Sequence, residues 1–232
     1  MADLPPIHIG FVLFPDMTQL DFTGPAQVLT RMGNTSIELV AKSLDPVPTD
    51  AGFTLQPTAT FATARVPDIL FVPGGFGVVP AMEDAETVDW VRRMGAEAQW
   101  VTAVCTGALL LGAAGLLDGY RATTHWASHH NLALFGAAPV HERVVFDRNR
   151  VTGGGVTAGI DFGLALVAAI RGEDHARFVQ LSIEYDPAPP FDAGSPDKVA
   201  PEILDRYRKM VARSAPDRDA RTRAIAEKLN LS

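Results

Sequence analysis

The sequence predicts an α/β fold: a doubly wound, three-layer sandwich around a mostly parallel central sheet, flavodoxin-like in plan. Three observations carry that expectation. Residues 7–14, 68–72 and 100–104 are nearly unbroken apolar runs. Parallel strands covered on both faces read this way, whereas half-exposed strands alternate. Stretches with helical periodicity lie between them, so strands and helices alternate along the chain. Two of the runs pass directly into small-residue turns, Pro73-Gly74-Gly75 and Cys105-Thr106-Gly107. Open α/β sheets build their sites there, beyond the carboxyl ends of the strands.

Taken in order, residues 7–14 form the first strand and residues 15–21 a loop. A helix is expected within 22–32, with Pro25 in its first turn, where the missing N–H is tolerated. Residues 37–43 are the second strand. Residues 45–48 and 52–55 suggest a small antiparallel excursion. The third strand, 68–72, ends in the glycine-rich turn 73–77. In the helix predicted over 83–98, Val88, Val91 and Met94 share a face, with Arg92, Arg93 and Glu97 outside it. The fourth strand, 100–104, leads through Cys105 to a leucine-rich helix over 108–117. Residues 121–124 form a short strand ending at His125-Trp126. Residues 144–151 suggest a hairpin turning at 147–149. Thr157 is placed to cap the apolar helix 158–170, which Gly172 stops. Another helix covers 174–183, and residues 187–196, rich in proline, cross irregularly. In the tail, Ile203, Leu204, Tyr207, Met210 and Val211 recur at helical spacing.

The 232 residues, 47% hydrophobic and 20% charged, suit one domain over 1–232, with 200–232 as a helical extension packed on it. The net charge of −7 argues against a nucleic-acid partner. Residues 202–228 hold eight basic and five acidic side chains, so even the most basic stretch reads as a solvated helical face. A single cysteine rules out an internal disulfide framework and fits a reducing compartment. The amino terminus lacks a basic region followed by a long apolar run, and no stretch approaches the ~18 apolar residues of a membrane span. A cytoplasmic protein without membrane contact is expected.

That cysteine, Cys105, is the first candidate for chemistry. A lone cysteine is commonly a small core hydrophobe. At a strand–Cys–Thr–Gly–helix junction it instead sits on a sharp elbow, with the next helix aiming free N–H groups and its positive dipole end at the sulfur. Both effects favour the nucleophilic thiolate. If the first, third and fourth strands are neighbours, an acid from 16–21, the glycine backbone and the thiol converge. Asp21 is the preferred proton donor and acceptor, Asp16 the competitor, and a plain helix cap the alternative use of Asp21. N–H groups of Gly75 and Thr106 are placed to hold developing negative charge beside the sulfur. The glycines suit a close approach of backbone to a small ligand, or a tight turn alone. Gly74-Gly75-Phe76-Gly77 does not match a dinucleotide fingerprint, and no phosphate-binding loop motif occurs. The six histidines show no metal-ligand spacing. His125, at a strand end, is the best placed of them.

The pieces Leu20-Asp-Phe-Thr-Gly-Pro25, Val72-Pro-Gly-Gly75, Val104-Cys-Thr-Gly107, Arg121-Ala-Thr-Thr-His-Trp126 and Gly153-Gly-Gly-Val-Thr-Ala-Gly-Ile-Asp161 together resemble the ThiJ/PfpI superfamily. This is the DJ-type branch of the class I glutamine amidotransferase-like fold. With the segment 184–196, the set is most similar to members that hydrate isocyanides. The resemblance implies hydration of a small-molecule isocyanide, R–N≡C, to an N-substituted formamide, without metal or organic cofactor. It implies Cys105 as nucleophile, Asp21 as acid/base, Thr106 as a hydrogen-bonding neighbour and a homodimer. Position beside the motifs suggests Phe76, Trp126 and Val156 for the substrate pocket. Protease-like members place His directly after the cysteine; here Thr106 stands there. Two other readings use the same thiol: a redox sensor in which Cys105 becomes sulfinic acid, and a glyoxalase- or deglycase-like enzyme acting on small carbonyl compounds.

Overall fold

The computed structural model describes residues 4–230. In chain order the elements are β1 (Ile7–Val12), α1 (Gln19–Leu29), β2 (Thr35–Ala41), β3 (Val47–Pro48), β4 (Thr54–Leu55), β5 (Ala59–Thr60), β6 (Ile69–Val72), α2 (Val78–Glu83), α3 (Ala85–Glu97), β7 (Trp100–Val104), α4 (Gly107–Ala113), β8 (Arg121–Ala122), β9 (Ala138–Pro139), β10 (Val144–Asp147), β11 (Arg150–Gly153), α5 (Ala158–Arg171), α6 (Glu173–Ser182), α7 (Pro201–Ser214) and α8 (Arg218–Asn230). Short 3₁₀ segments cover Thr30–Met32 and Trp126–Phe135.

Seven strands form one sheet in the order β10-β11-β7-β6-β1-β2-β5. All neighbours are parallel except the edge pair β10–β11. The apolar runs lie where their pattern predicts: β6 is buried along its whole length, and β1 and β7 are buried after their first residue. Helices cover the sheet in two groups. α1 packs on α5 and α5 on α6, while α2, α3 and α4 pack on one another. Phe11, Phe22, Phe71 and Phe162 interlock through ring contacts of 4.8–5.6 Å and tie the sheet to α1 and α5. Register matters for the site. Val72 lies opposite Ala103, and Gly153 opposite Val104, so β6, β7 and β11 end level with one another. The turns that follow them open at one edge of the sheet.

Several elements differ from expectation for tertiary reasons. α1 begins at Gln19 rather than Phe22, so Pro25 lies inside the helix and Asp21 in its first turn. The early start is capped from outside. The Asp50 carboxylate accepts from the Gln19 N–H (3.2 Å) and from the Thr18 hydroxyl (2.7 Å), an acceptor that local sequence cannot reveal. Thr157 stands at the start of α5 but makes no side-chain capping bond; its hydroxyl faces Arg143. α4 ends at Ala113, short of the predicted 117, and the chain turns at Gly115 with φ +73°. The β10–β11 turn consists of Arg148 and Asn149, with Arg148 at φ +53°. β5, α2 and the 3₁₀ segment after His125 carry no strong periodicity and were not expected. The last is started by His125, whose Nδ1 accepts from the Ala127 N–H (3.2 Å).

The carboxyl-terminal helices pack unequally. α8 rests on α2 and the Trp126–Phe135 segment, with Thr222 and Ala226 buried and Arg221 paired with Glu83. On α7 only Val211 is buried; Ile203 and Met210 are exposed. Among the described residues, no helix is long and apolar enough to cross a membrane.

Candidate active site

The elbow after β7 is built from backbone constraint. Cys105 holds φ +54°, a left-handed conformation that costs a non-glycine residue on the order of 1–2 kcal/mol. Hydrogen bonds hold it there. Its N–H donates to the carbonyls of Gly153 (3.1 Å) and Gly154 (2.7 Å), and its carbonyl accepts from the Thr124 hydroxyl (2.6 Å). The side chain is therefore aimed by β11 and by the end of β8, not by local sequence alone.

Gly74 and Gly75 press against this elbow. A Cβ on Gly74 would lie 2.5 Å from the Thr106 nitrogen and 2.8 Å from the Cys105 Cβ. Gly75 sits at φ +131°, against Asp16, Met17 and Thr18. The close approach expected between these glycines and a ligand is thus an approach to the protein's own backbone. Gly74→Ala should displace the elbow and destabilise the fold by roughly 1–3 kcal/mol, with turnover falling more steeply than stability. Thermal melts and initial rates on one preparation check this; wild-type values for both would contradict it.

Asp21 is fully buried. Its Oδ2 accepts from the Gly74 N–H at 3.0 Å, so one glycine turn positions both acid and elbow. Oδ1 has no hydrogen-bond partner, and the Asp21 carboxyl and the Cys105 thiol shift one another's ionisation. Burial pushes the Asp21 carboxyl up from 3.8 to about 7, against the lowering effect of its bonds to Cys105 and Gly74. Burial, and then the Asp21 charge, push the Cys105 thiol well above its usual range. Thr106, whose N–H and hydroxyl lie against the sulfur, opposes this only in part. The pull of the helix end towards a thiolate, expected from the sequence, is thus opposed by burial. α4 is only seven residues long, and Cys105 is 5% exposed, so desolvation outweighs the helix end. Burial thus raises both members of the pair, the carboxyl to about 7.

The other predicted residues divide. The Thr106 hydroxyl accepts from the Gly75 N–H (2.9 Å) and faces the Gly75 carbonyl (3.2 Å). The Gly75 N–H is therefore engaged and does not point freely at the sulfur as expected; the Thr106 N–H does lie against it. Phe76 and Val156 line the cavity over Cys105, which has a volume of approximately 230 Å³. Trp126 does not line it. Its ring lies behind Tyr207 and His125, at centroid distances of 5.0 and 5.6 Å, because the chain turns into the 3₁₀ segment immediately after His125. Asp16 is exposed, and its carbonyl accepts from the Gly77 N–H; it borders a different cavity, beyond β1 and β2. It does not compete with Asp21. His125 lines the Cys105 cavity, with its pKa lowered by burial and then by Arg218. Sequence reasoning missed the cavity's far wall, Tyr207, Met210 and Val211 of α7. Their helical spacing was visible, but what they face was not.

Comparison with known proteins follows the same lines. The DJ-1/PfpI family model matches residues 8–169. The isonitrile hydratase of Pseudomonas putida is 52% identical over 225 residues, covering 97% of this chain and 99% of that protein. The crystal structure of a ThiJ/PfpI family protein from Pseudomonas syringae superposes with a TM-score of 0.91 at 45% identity, covering 96% of this chain and 91% of its own. Drosophila melanogaster DJ-1beta, at 20% identity and a TM-score of 0.70, shares the fold over 79% of this chain and all of its own.

Proposed function

The chain belongs to the DJ-1/PfpI family, and from that premise we propose that it is a lyase adding water to isocyanides to give N-substituted formamides. The observation that carries the proposal is that Gly74 donates its N–H to the buried Asp21 carboxyl while packing against the Cys105 elbow, so that one turn places acid and thiol together beneath a mostly apolar cavity. The near full-length likeness to a protein named for this activity supports it.

Each group has one task in the proposed reaction. The Cys105 sulfur attacks the terminal carbon of R–N≡C while Asp21 takes the thiol proton and delivers it to that carbon, giving the thioimidate R–N=CH–S–Cys105. Water then adds to the same carbon. Asp21 removes a water proton, the nitrogen gains one, and R–NH–CH(OH)–S–Cys105 results. The C–S bond breaks, the hydroxyl becomes the formyl oxygen, and the sulfur recovers its proton. The sum is R–NC plus H₂O giving R–NH–CHO. Thr106 stabilises the sulfur whenever it carries charge. The addition needs no metal or organic cofactor, since the thiol supplies the nucleophile. The proposal includes a homodimeric, cytoplasmic enzyme with residues 200–232 as an extension of one catalytic domain.

The pair dictates a pH profile. Asp21 accepts a proton only as carboxylate, so kcat/KM should rise with pH through a midpoint near 7. The thiol must still hold its proton, so the falling limb follows ionisation of Cys105, on the alkaline side of the ordinary thiol range. A rising limb near 4 would contradict a carboxyl raised by burial.

The activity is tested by incubating the protein separately with an alkyl isocyanide, an aryl isocyanide and methylglyoxal, then identifying products by mass spectrometry. Formamide from the isocyanides is the expected result. Consumption of methylglyoxal alone would redirect the site to carbonyl chemistry. Inertness toward all three would favour a cysteine sensor.

A further inference from the structure

Amphipathic helices normally spend their apolar stripe on the core. α7 does not. Tyr207, Met210 and Val211, at i, i+3 and i+4, all line the cavity over Cys105. Little else holds the helix: Tyr207 lies at a tilt against Trp126 (5.0 Å) and stacks on His125 (6.3 Å). Behind α7 lies a second cavity of approximately 510 Å³, bordered by Trp126, His130, Arg208 and Ala212. The helix therefore stands as a partition between two open spaces. Its origin in the chain also differs from that of the reacting groups. Asp21, Gly75, Cys105 and Thr106 lie within the span that the family model matches, residues 8–169, and α7 lies outside it.

We propose that α7 is the specificity wall of the site, with Tyr207, Met210 and Val211 selecting the substituent R of the isocyanide in favour of uncharged aryl or branched alkyl groups. This rests on the proposed hydration activity. The reacting –N≡C group is small and belongs at the sulfur, so most of the approximately 230 Å³ is left for R. The opposite wall, Phe76, Val78 and Val156, is apolar as well. The charged side chains at the rim are already committed. Asp50 accepts from Thr18 and Gln19, and Arg218 donates to the Ala127 carbonyl and pairs with Asp219. A charged R group would be desolvated without a free partner. Truncating the wall therefore enlarges the cavity without altering the Cys105–Asp21 pair.

The test compares isopropyl isocyanide with 2-naphthyl isocyanide on wild type, Met210→Ala and Val211→Ala. Met210 is 42% exposed at the rim, so its truncation leaves the fold intact even if Val211→Ala is destabilising. The kcat/KM ratio of naphthyl to isopropyl substrate should rise about tenfold or more in the truncated variants, the usual worth of a methylene or two in a pocket. Tyr207→Phe, which keeps the ring wall, should leave the ratio within about threefold of wild type. A ratio unchanged in both alanine variants overturns the proposal. Alkylation of Cys105 by iodoacetamide and by N-(1-naphthyl)maleimide, followed by mass spectrometry, gives the same size comparison without turnover. Wild-type protein inert to both isocyanides would sink the hydration reading, and the alkylation ratio would then decide the role of α7 alone.

Discussion

Asp21→Asn protein is expected to lose turnover and to gain stability at the same time. The amide cannot accept the thiol proton or deprotonate water, and removal of a positioned acid/base costs roughly 10²–10⁴-fold in rate. Its oxygen still accepts from the Gly74 N–H, so the elbow keeps its support. The stability gain follows from linkage. The folded-state value of Asp21, about 7, lies above its unfolded value of 3.8. The native state therefore holds this proton more tightly, and ionisation destabilises it. That penalty is absent below about pH 4, grows between 4 and 7, and is fully present above 7, where it amounts to a few kcal/mol. Asparagine never carries the charge. The variant should melt several degrees above wild type at pH 8, and the advantage should vanish at pH 4. A lower melting point at pH 8 would show that the carboxylate is stabilised rather than strained. Unchanged turnover would pass the proton work to water, because Asp16 borders a different cavity.

Cys105→Ala should abolish formamide production, because no second thiol lines the cavity. Cys105 is the protein's single cysteine, and the other cavity-lining side chains include no second thiol or amine nucleophile. Alanine also inherits φ +54°, so the backbone constraint stays and only the sulfur is lost. A residual rate from binding and Thr106 alone would fall roughly 10⁴-fold or more below wild type. Cys105→Ser is expected to fail almost as completely. Its hydroxyl, buried beside a carboxylate, is far harder to ionise than a thiol and is a poorer match for a soft carbon centre. Product analysis over hours, against a no-enzyme control, separates loss from impairment.

The fold was legible because a buried parallel sheet writes itself as unbroken apolar runs, and β1, β6 and β7 lie where those runs are. The elbow was legible for a related reason: a strand pattern changes to a small-residue helix pattern across three residues, with the lone cysteine between them. Asp21 was harder. Its local signal is that of a helix cap, and acid/base work followed only from the expected convergence of three strand ends on Cys105. Its first-turn position depends on Asp50, thirty residues away in sequence, supplying the cap. The burial that raises both groups was not legible, because a helix end is visible in local pattern and desolvation is not. Gly74-Gly75 announced a tight backbone approach without saying to what. The wall formed by α7 was invisible for a physical reason as well. Tyr207, Met210 and Val211 show the same spacing whether a helix faces a packed core or the cavity over a thiol.

The central claim is that the isocyanide carbon becomes bonded to the Cys105 sulfur with Asp21 as its proton partner. Quench-flow mass spectrometry, with enzyme in excess over an aryl isocyanide, tests it most directly. The account predicts that the Cys105 peptide gains the full mass of the isocyanide within a single turnover. That species should then decay at the rate at which formamide appears. Formamide accumulating while Cys105 stays unmodified throughout, and at an undiminished rate in the Cys105→Ala protein, would contradict it.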